Sequence, residues 1–346
     1  MSVELGELRE AARQVVDAAG LPAAEDGTWS QLVELGWLLV AMPEQLGGLD
    51  TGIEGACTLH EALGRGLCAA PFLPAMMAID ALCASAPADR DAWLERITGG
   101  ERVSASLATG ELYLEDDTLR GEVPAVQCAD TASHALLWTT GGPACVALVA
   151  LDQAGVERIE RPTWDRTRRL FDLRLDGVPL ARQTLLARDG KAEALTRRLL
   201  TLRDFALAAD AIGGANALLE MTVEHLKVRV QFKRPLAMFQ ALKHRCADLK
   251  AGTAAAEALL FNALAVADLA GAEAEHQAKS ARLLATSTFL RVAEESLQLH
   301  GGIGMAEEHP CHLFLKRALL TEHLGRDSGS YARDIAEHAL LKAQAE

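Results

Sequence analysis

Two stretches decide the fold: residues 229–250, RVQFKRPLAMFQALKHRCADLK, and residues 298–318, QLHGGIGMAEEHPCHLFLKRA. In the first, Arg229 closes a long helical run and Pro235 blocks its continuation, because proline has no N–H and clashes with the preceding turn. Arg229 and Gln231 therefore sit at a helix terminus and a tight connection. A guanidinium there can make paired hydrogen bonds to a diphosphate. In the second stretch, Gly301, Gly302 and Gly304 let the backbone approach a ligand with no β-carbon in the way, and their N–H groups suit phosphate oxygens or adenine edges. Each feature alone also has a plain structural reading. A GGxG run commonly closes a helix, a single arginine is commonly solvated, and Phe232 and Phe239 are ordinarily core.

Working outward, Leu199, Leu202, Ala206, Ala209, Ile212, Leu219, Val223 and Leu226 recur on one helix face, and further helices are expected over residues 240–269, 273–299 and 310–342. Four long helices with apolar stripes and short connections pack most simply as an antiparallel bundle. Upstream, short apolar runs between turn-rich pieces, such as ALLWTT, ACVALVAL and LFDLRLDGVPL, read as strands. The first hundred residues read as short helices broken by Pro43, Gly47, Gly48, Pro71 and Pro74. The expected organisation is a helical domain over residues 1–98, a β-sheet domain over 99–190 and a four-helix bundle over 191–346, a segregated α+β fold.

The chain has 346 residues, half of them hydrophobic, so it can bury a large core. A net charge of −14 argues against nucleic acid, which needs a basic surface, but not against a small phosphate-bearing ligand held by a few arginines. No run of eighteen uncharged apolar residues suggests a membrane span, and the acidic amphipathic N-terminus does not read as a signal peptide. The seven cysteines are scattered without a CxxC, which points to reduced thiols and a cytoplasmic protein with no metal site. His309 and His312 flank Pro310 without a trustworthy ligand set around them.

Together the two C-terminal stretches resemble the acyl-CoA dehydrogenase family: Arg-x-x-Phe-Gly, then Phe-Gln and Ala-Asp, with Gln-x-x-Gly-Gly-x-Gly later. ELGWLLVAMPEQLGG near the N-terminus and LDGVPL at the end of the strand region look similar too. The resemblance implies FAD as cofactor, an acyl-CoA thioester as substrate, α,β-desaturation as reaction and electron-transfer flavoprotein as electron acceptor. It also implies that Arg229, Gln231, Phe232, Gln240, Gln298, Gly301, Gly302 and Gly304 bind the adenosine-diphosphate half of FAD across a subunit interface.

In this family a carboxylate removes the α-proton, and it must lie within hydrogen-bond reach of the α-carbon. Counting without gaps, its two alternative places fall here on Gly325 and Arg203. Asp204 is adjacent, but one residue along a helix turns a side chain by about 100° and aims it elsewhere. The catalytic residue is thus unknown, with Asp204, Glu322 and Asp327 as the remaining acids. In the strand region, residues 121–126 look like a remnant of the family's Gly-x-Lys-x-Trp motif, with Pro124 and Ala125 where its key residues would fall, and Lys233 stands where the usual glycine would be. This pattern resembles the shorter subunit of bacterial heterotetrameric acyl-CoA dehydrogenases acting on steroid side-chain CoA thioesters. The expectation is a homo- or hetero-oligomer with another acyl-CoA dehydrogenase-like subunit that supplies the base. A flavin-dependent monooxygenase and a non-catalytic structural homologue are the alternatives. Replacing Asp204 by Asn or Glu322 by Gln is expected to leave activity intact.

Overall fold

A computed structural model describes residues 5–269 and 271–345. Five helices come first: α1 (Leu5–Ala19), α2 (Glu25–Glu34), α3 (Gly52–Arg65), α4 (Phe72–Ser85) and α5 (Arg90–Thr98). In α1 the apolar Leu8, Ala12 and Val16 fall four apart and form the buried stripe. In α4 the whole run from Phe72 to Ile79 is buried, because the helix is enclosed by its neighbours on every side.

Eight strands follow: β1 (Val103–Ala105), β2 (Glu111–Glu115), β3 (Thr118–Gln127), β4 (His134–Trp138), β5 (Cys145–Ala150), β6 (Val156–Arg161), β7 (Leu170–Pro179) and β8 (Thr184–Arg188). They form two four-stranded sheets, ordered β1-β4-β5-β8 and β2-β3-β7-β6. Leu112, Leu114, Val123, Leu137, Val149 and Leu173 fill the space between them. The other faces of β4 and β5 put Leu136, Trp138, Val146 and Leu148 into the core shared with the N-terminal helices. Covered on both sides, these strands are apolar throughout, whereas β2 alternates buried and exposed.

The C-terminal part consists of α6 (Asp189–Val228), α7 (Gln240–Leu264), α8 (Ala272–His300), α9 (Cys311–His323) and α10 (Ser328–Ala345). At 40 residues α6 is about 60 Å long and forms the axis of the molecule. Where α3 crosses it, glycines remove the side chains from both partners. A β-carbon on Gly213 would lie 1.8 Å from the Glu61 carbonyl oxygen, and one on Gly64 would lie 2.1 Å from that of Asp210. Gly213 of AIGGA thus serves close helix packing, and it also borders a polar cleft with Arg65 and Glu220.

The helix expected over residues 310–342 is two helices. Leu324 has left the helical conformation and Gly325 has φ +85°, a value that favours glycine. Asp327 then caps α10, its carboxylate accepting from the Ser330 N–H at 3.0 Å. On the inner side the fully buried Arg282 of α8 donates to the carbonyls of Thr321 (2.6 Å) and Leu324 (2.9 Å), satisfying the end of α9. The bundle is therefore four helices with the last one broken in two.

One buried polar knot joins all three parts. Arg317 of α9 donates through Nε to Asp165 at 2.7 Å and through Nη2 to the Thr167 hydroxyl at 2.6 Å, and its Nη1 lies 3.3 Å from Asp210 of α6. The same guanidinium reaches the Leu67 and Cys68 carbonyls beyond α3, while Arg168 donates to Asp210 at 3.1 Å. His60 of α3 lies in the same field. Burial pushes its pKa down to about 3, with Arg168 adding to the effect and Asp210 opposing it.

Arg317→Met strands Asp165 and leaves Asp210 with Arg168 alone, and is expected to lower stability by about 3–5 kcal/mol, measured by chemical denaturation. Histidines that resist protonation in the folded state bind a proton more readily once unfolded, so stability falls with pH between 6.5 and about 3. Denaturation at pH 7.5 and 5.5 should show this loss, and His60→Leu should make it smaller.

Candidate functional site

At its far end α6 gives way to Arg229, and the chain makes a two-stranded hairpin in which Val230–Gln231 pairs with Arg234–Pro235. Phe232 and Lys233 form its turn at φ 52° and 63°. Left-handed backbone costs a non-glycine residue about 1 kcal/mol, so Lys233 in the usual glycine place is tolerated but strained. The Leu236 N–H returns to the Arg229 carbonyl at 2.8 Å, and Arg234 lies over the Phe239 ring at 4.0 Å. Gln240 then opens α7.

The second motif meets the first here. The His225 and His300 rings meet at a tilt, 4.5 Å between centroids, and His300 meets His309 at 4.7 Å. Arg229, four residues beyond His225, and Gly301, next to His300, therefore share one end of the bundle. Arg229 makes no side-chain hydrogen bond or ion pair among the described residues. A β-carbon on Gly301 or Gly302 would meet nothing within 4 Å, so no packing inside this chain requires either to be bare on that account. Gly304 differs, since its β-carbon would lie 3.0 Å from that of His300. Gln231, Phe232, Gln240 and Gln298 are exposed. Around them Val228, Met238, Ile303 and Met305 are more than half exposed, an apolar rim on a polar centre. The free cation and bare glycine backbone suit a diphosphate, and the rim suits another protein surface.

A second feature lies toward the opposite end of α6. A cavity of about 370 Å³ opens between Thr139, Ala144 and Cys145 of the strand region, residues 193–204 of α6, Glu275 and Lys279 of α8, and Arg326 and Tyr331. Both positions at which the family's base was sought come together here. A β-carbon on Gly325 would sit 3.1 Å from the Arg203 guanidinium carbon, so the absent side chain makes room for the arginine. Arg203 is buried and donates to Asp204 Oδ1 at 2.9 Å and to the Tyr331 hydroxyl at 3.2 Å, and Tyr331 in turn donates to Asp204 at 2.9 Å. Burial and the facing Asp204 push the Tyr331 hydroxyl pKa upward.

The remaining acids are accounted for. Asp204 does line the cavity, contrary to the helical-wheel expectation, and the long Arg203 side chain folds back to donate to it. Its Oδ1, however, already accepts from Arg203 and Tyr331. Asp327 caps α10, and Glu322 accepts from Ser328 at 3.4 Å and does not line the cavity. The remnant motif forms a bulge: β3 slips register against β7 between Val123 and Val126, Ala125 takes φ 52°, and its N–H donates to Asp172. Sequence reading missed Tyr331 and Arg282. Their partners lie far along the chain, and no local spacing signals them.

Known proteins agree with this geometry. Residues 4–101 match the model of the acyl-CoA dehydrogenase N-terminal domain, and residues 193–340 that of the C-terminal domain. Acyl-CoA dehydrogenase IpdE2 of Mycobacterium tuberculosis is 35% identical over 85% of this chain and 80% of its own length. Among solved structures, the Tcur3481-Tcur3483 steroid ACAD superposes with a TM-score of 0.86 at 26% identity, covering 99% of both chains. The ChsE4-ChsE5 complex from Mycobacterium tuberculosis also gives 0.86, at 25% identity over 98% of each chain. The chain belongs to the acyl-CoA dehydrogenase family, FAD-dependent oxidoreductases acting on CH–CH bonds. Among the described residues no helix is long and apolar enough to cross a membrane.

The geometry revises the expectation for Asp204. Asp204→Asn leaves the buried Arg203 without its counter-charge and is expected to destabilise the fold by about 3–5 kcal/mol. Glu322→Gln should change the unfolding midpoint little, and denaturant melts of the two variants separate these outcomes.

Proposed function

We propose that this chain is one member of a two-chain acyl-CoA dehydrogenase, in which it holds the adenosine-diphosphate end of FAD and its partner supplies the catalytic base. The observation that carries this reading is a distance along one helix. Arg203 and Arg229 bound α6 segments 26 residues apart (229 − 203), which at the α-helical rise is about 39 Å. A dinucleotide cofactor does not stretch that far, so a flavin gripped at the Arg229 end does not reach this chain's own cavity. The Arg229 end then serves a ring seated in the other chain.

FAD, when bound, supplies the acceptor for the hydride leaving the β-carbon. The residues of this chain bind and orient. Arg229 pairs with diphosphate oxygens, the Gly301 and Gly302 backbone allows close approach, and Gln231, Gln240 and Gln298 offer amides. Phe232 and the apolar rim exclude water once a partner covers them. In its own cavity this chain presents Arg203 and Gly325 at the two places where the family carries its base, so deprotonation of the thioester falls to the partner.

The relation to a ChsE4-ChsE5 complex supports two unlike chains, and that to a steroid ACAD supports CoA thioesters of steroid-derived acids as substrates. Electron-transfer flavoprotein as acceptor belongs to the same reading. So does a cytoplasmic setting, supported by seven free thiols.

The test is purification of the chain alone and with a co-expressed homologous chain, followed by flavin stoichiometry and acyl-CoA turnover. Turnover and full flavin loading are expected only in the mixed assembly, and Arg229→Ala in that assembly should lower flavin retention about tenfold or more. Full loading and turnover by the chain alone would overturn the proposal.

A further inference from the structure

The cavity in which Gly325 and Arg203 hold the family's two base positions is not inert. Four basic side chains, Arg197, Arg203, Lys279 and Arg326, line it against three acidic ones, Glu193, Asp204 and Glu275. That local balance is opposite in sign to the chain as a whole, which carries −14. The cations are unevenly engaged. Arg203 is held by Asp204 and Tyr331, Lys279 by Glu275 at 2.8 Å and Asp334 at 2.9 Å, and Arg326 by Asp334 at 2.6 Å. Arg197 has only Glu275, at 3.7 Å, which is beyond hydrogen-bond length. Its planar donor fork is left free at the cavity wall. Beyond it, Arg203 Nη1 has a single weak contact, 3.4 Å from the Leu107 carbonyl.

We propose that this cavity binds a small carboxylic acid, with the carboxylate on the Arg197 fork and the Arg203 charge behind it. The short apolar body lies against Leu200, Ala144 and Cys145, which line the same space. About 370 Å³ lies within the range of small-ligand pockets. The inference rests on the reading that the two base positions of the family are held here by Gly325 and Arg203, and Glu193 at the mouth of the cavity is left as an exposed carboxylate. A catalytic carboxylate would repel a carboxylate ligand, whereas a guanidinium in its place attracts one, so loss of the base and gain of an acid site are one charge inversion.

Isothermal titration of the full-length chain with sodium hexanoate, hexanamide and inorganic phosphate tests this. Hexanoate is expected to bind, and hexanamide, of the same shape without the charge, at least about tenfold more weakly. Phosphate, which lacks the apolar body, should also be weaker. Arg197→Met removes an exposed side chain with no structural bond and should weaken hexanoate about tenfold to a hundredfold, while Arg197→Lys should retain part of the affinity. Equal binding of acid and amide, phosphate binding as tight as hexanoate, unchanged affinity in Arg197→Met, or no hexanoate binding would each overturn the proposal. Acyl-CoA turnover by the chain alone, a separate measurement, would overturn the base-free reading instead.

Discussion

The buried guanidinium of Arg317 is the constraint on which the arrangement of the three parts depends. It is 1% exposed and faces Asp165 from the strand region, Asp210 from α6 and backbone carbonyls beyond α3. Such a charge is tolerated in a dry interior only when its donors are nearly all engaged, so each part must present its acceptors in one relative position. Apolar contact alone would let helices and sheets slide, whereas a knot of directional bonds fixes them. The cavity beside Arg203 lies between those same parts, and its shape follows from that registration.

Within this frame α6 is a rod with a different chemistry at each end. Toward the start it contributes Arg203 and Asp204 to an enclosed, charge-compensated corner. At its finish it releases Arg229 into the open beside a glycine loop. The groups of the corner pair with one another, whereas Arg229 makes no side-chain bond among the described residues. The second arginine-based anchor, Arg282, holds the α9–α10 connection against α8, and so keeps Gly325 over the Arg203 plane.

Much of this was legible in the sequence. The helical periodicity of residues 199–226 and the proline-bounded turn after Arg229 follow from local rules, and they placed the hairpin and the bundle correctly. The break at residues 324–327 was not legible, because its cause is Arg282 reaching across from another helix. Asp204 was misjudged for a related reason. A helical wheel gives the direction of the first bond of a side chain, while a long arginine can fold back on its neighbour. The bundle-end residues were legible as a set, since their spacing repeats a family pattern. Their exposure was not, because sequence does not say what covers a surface.

The hairpin turn carries one further implication. Phe232 stands 84% exposed on a strained turn, and Val230, Met238 and Met305 are also more than half exposed. Left uncovered, such an apolar tip makes a chain prone to aggregate or to be cleared by proteases. That liability is written into eleven residues between two helices, 229 through 239.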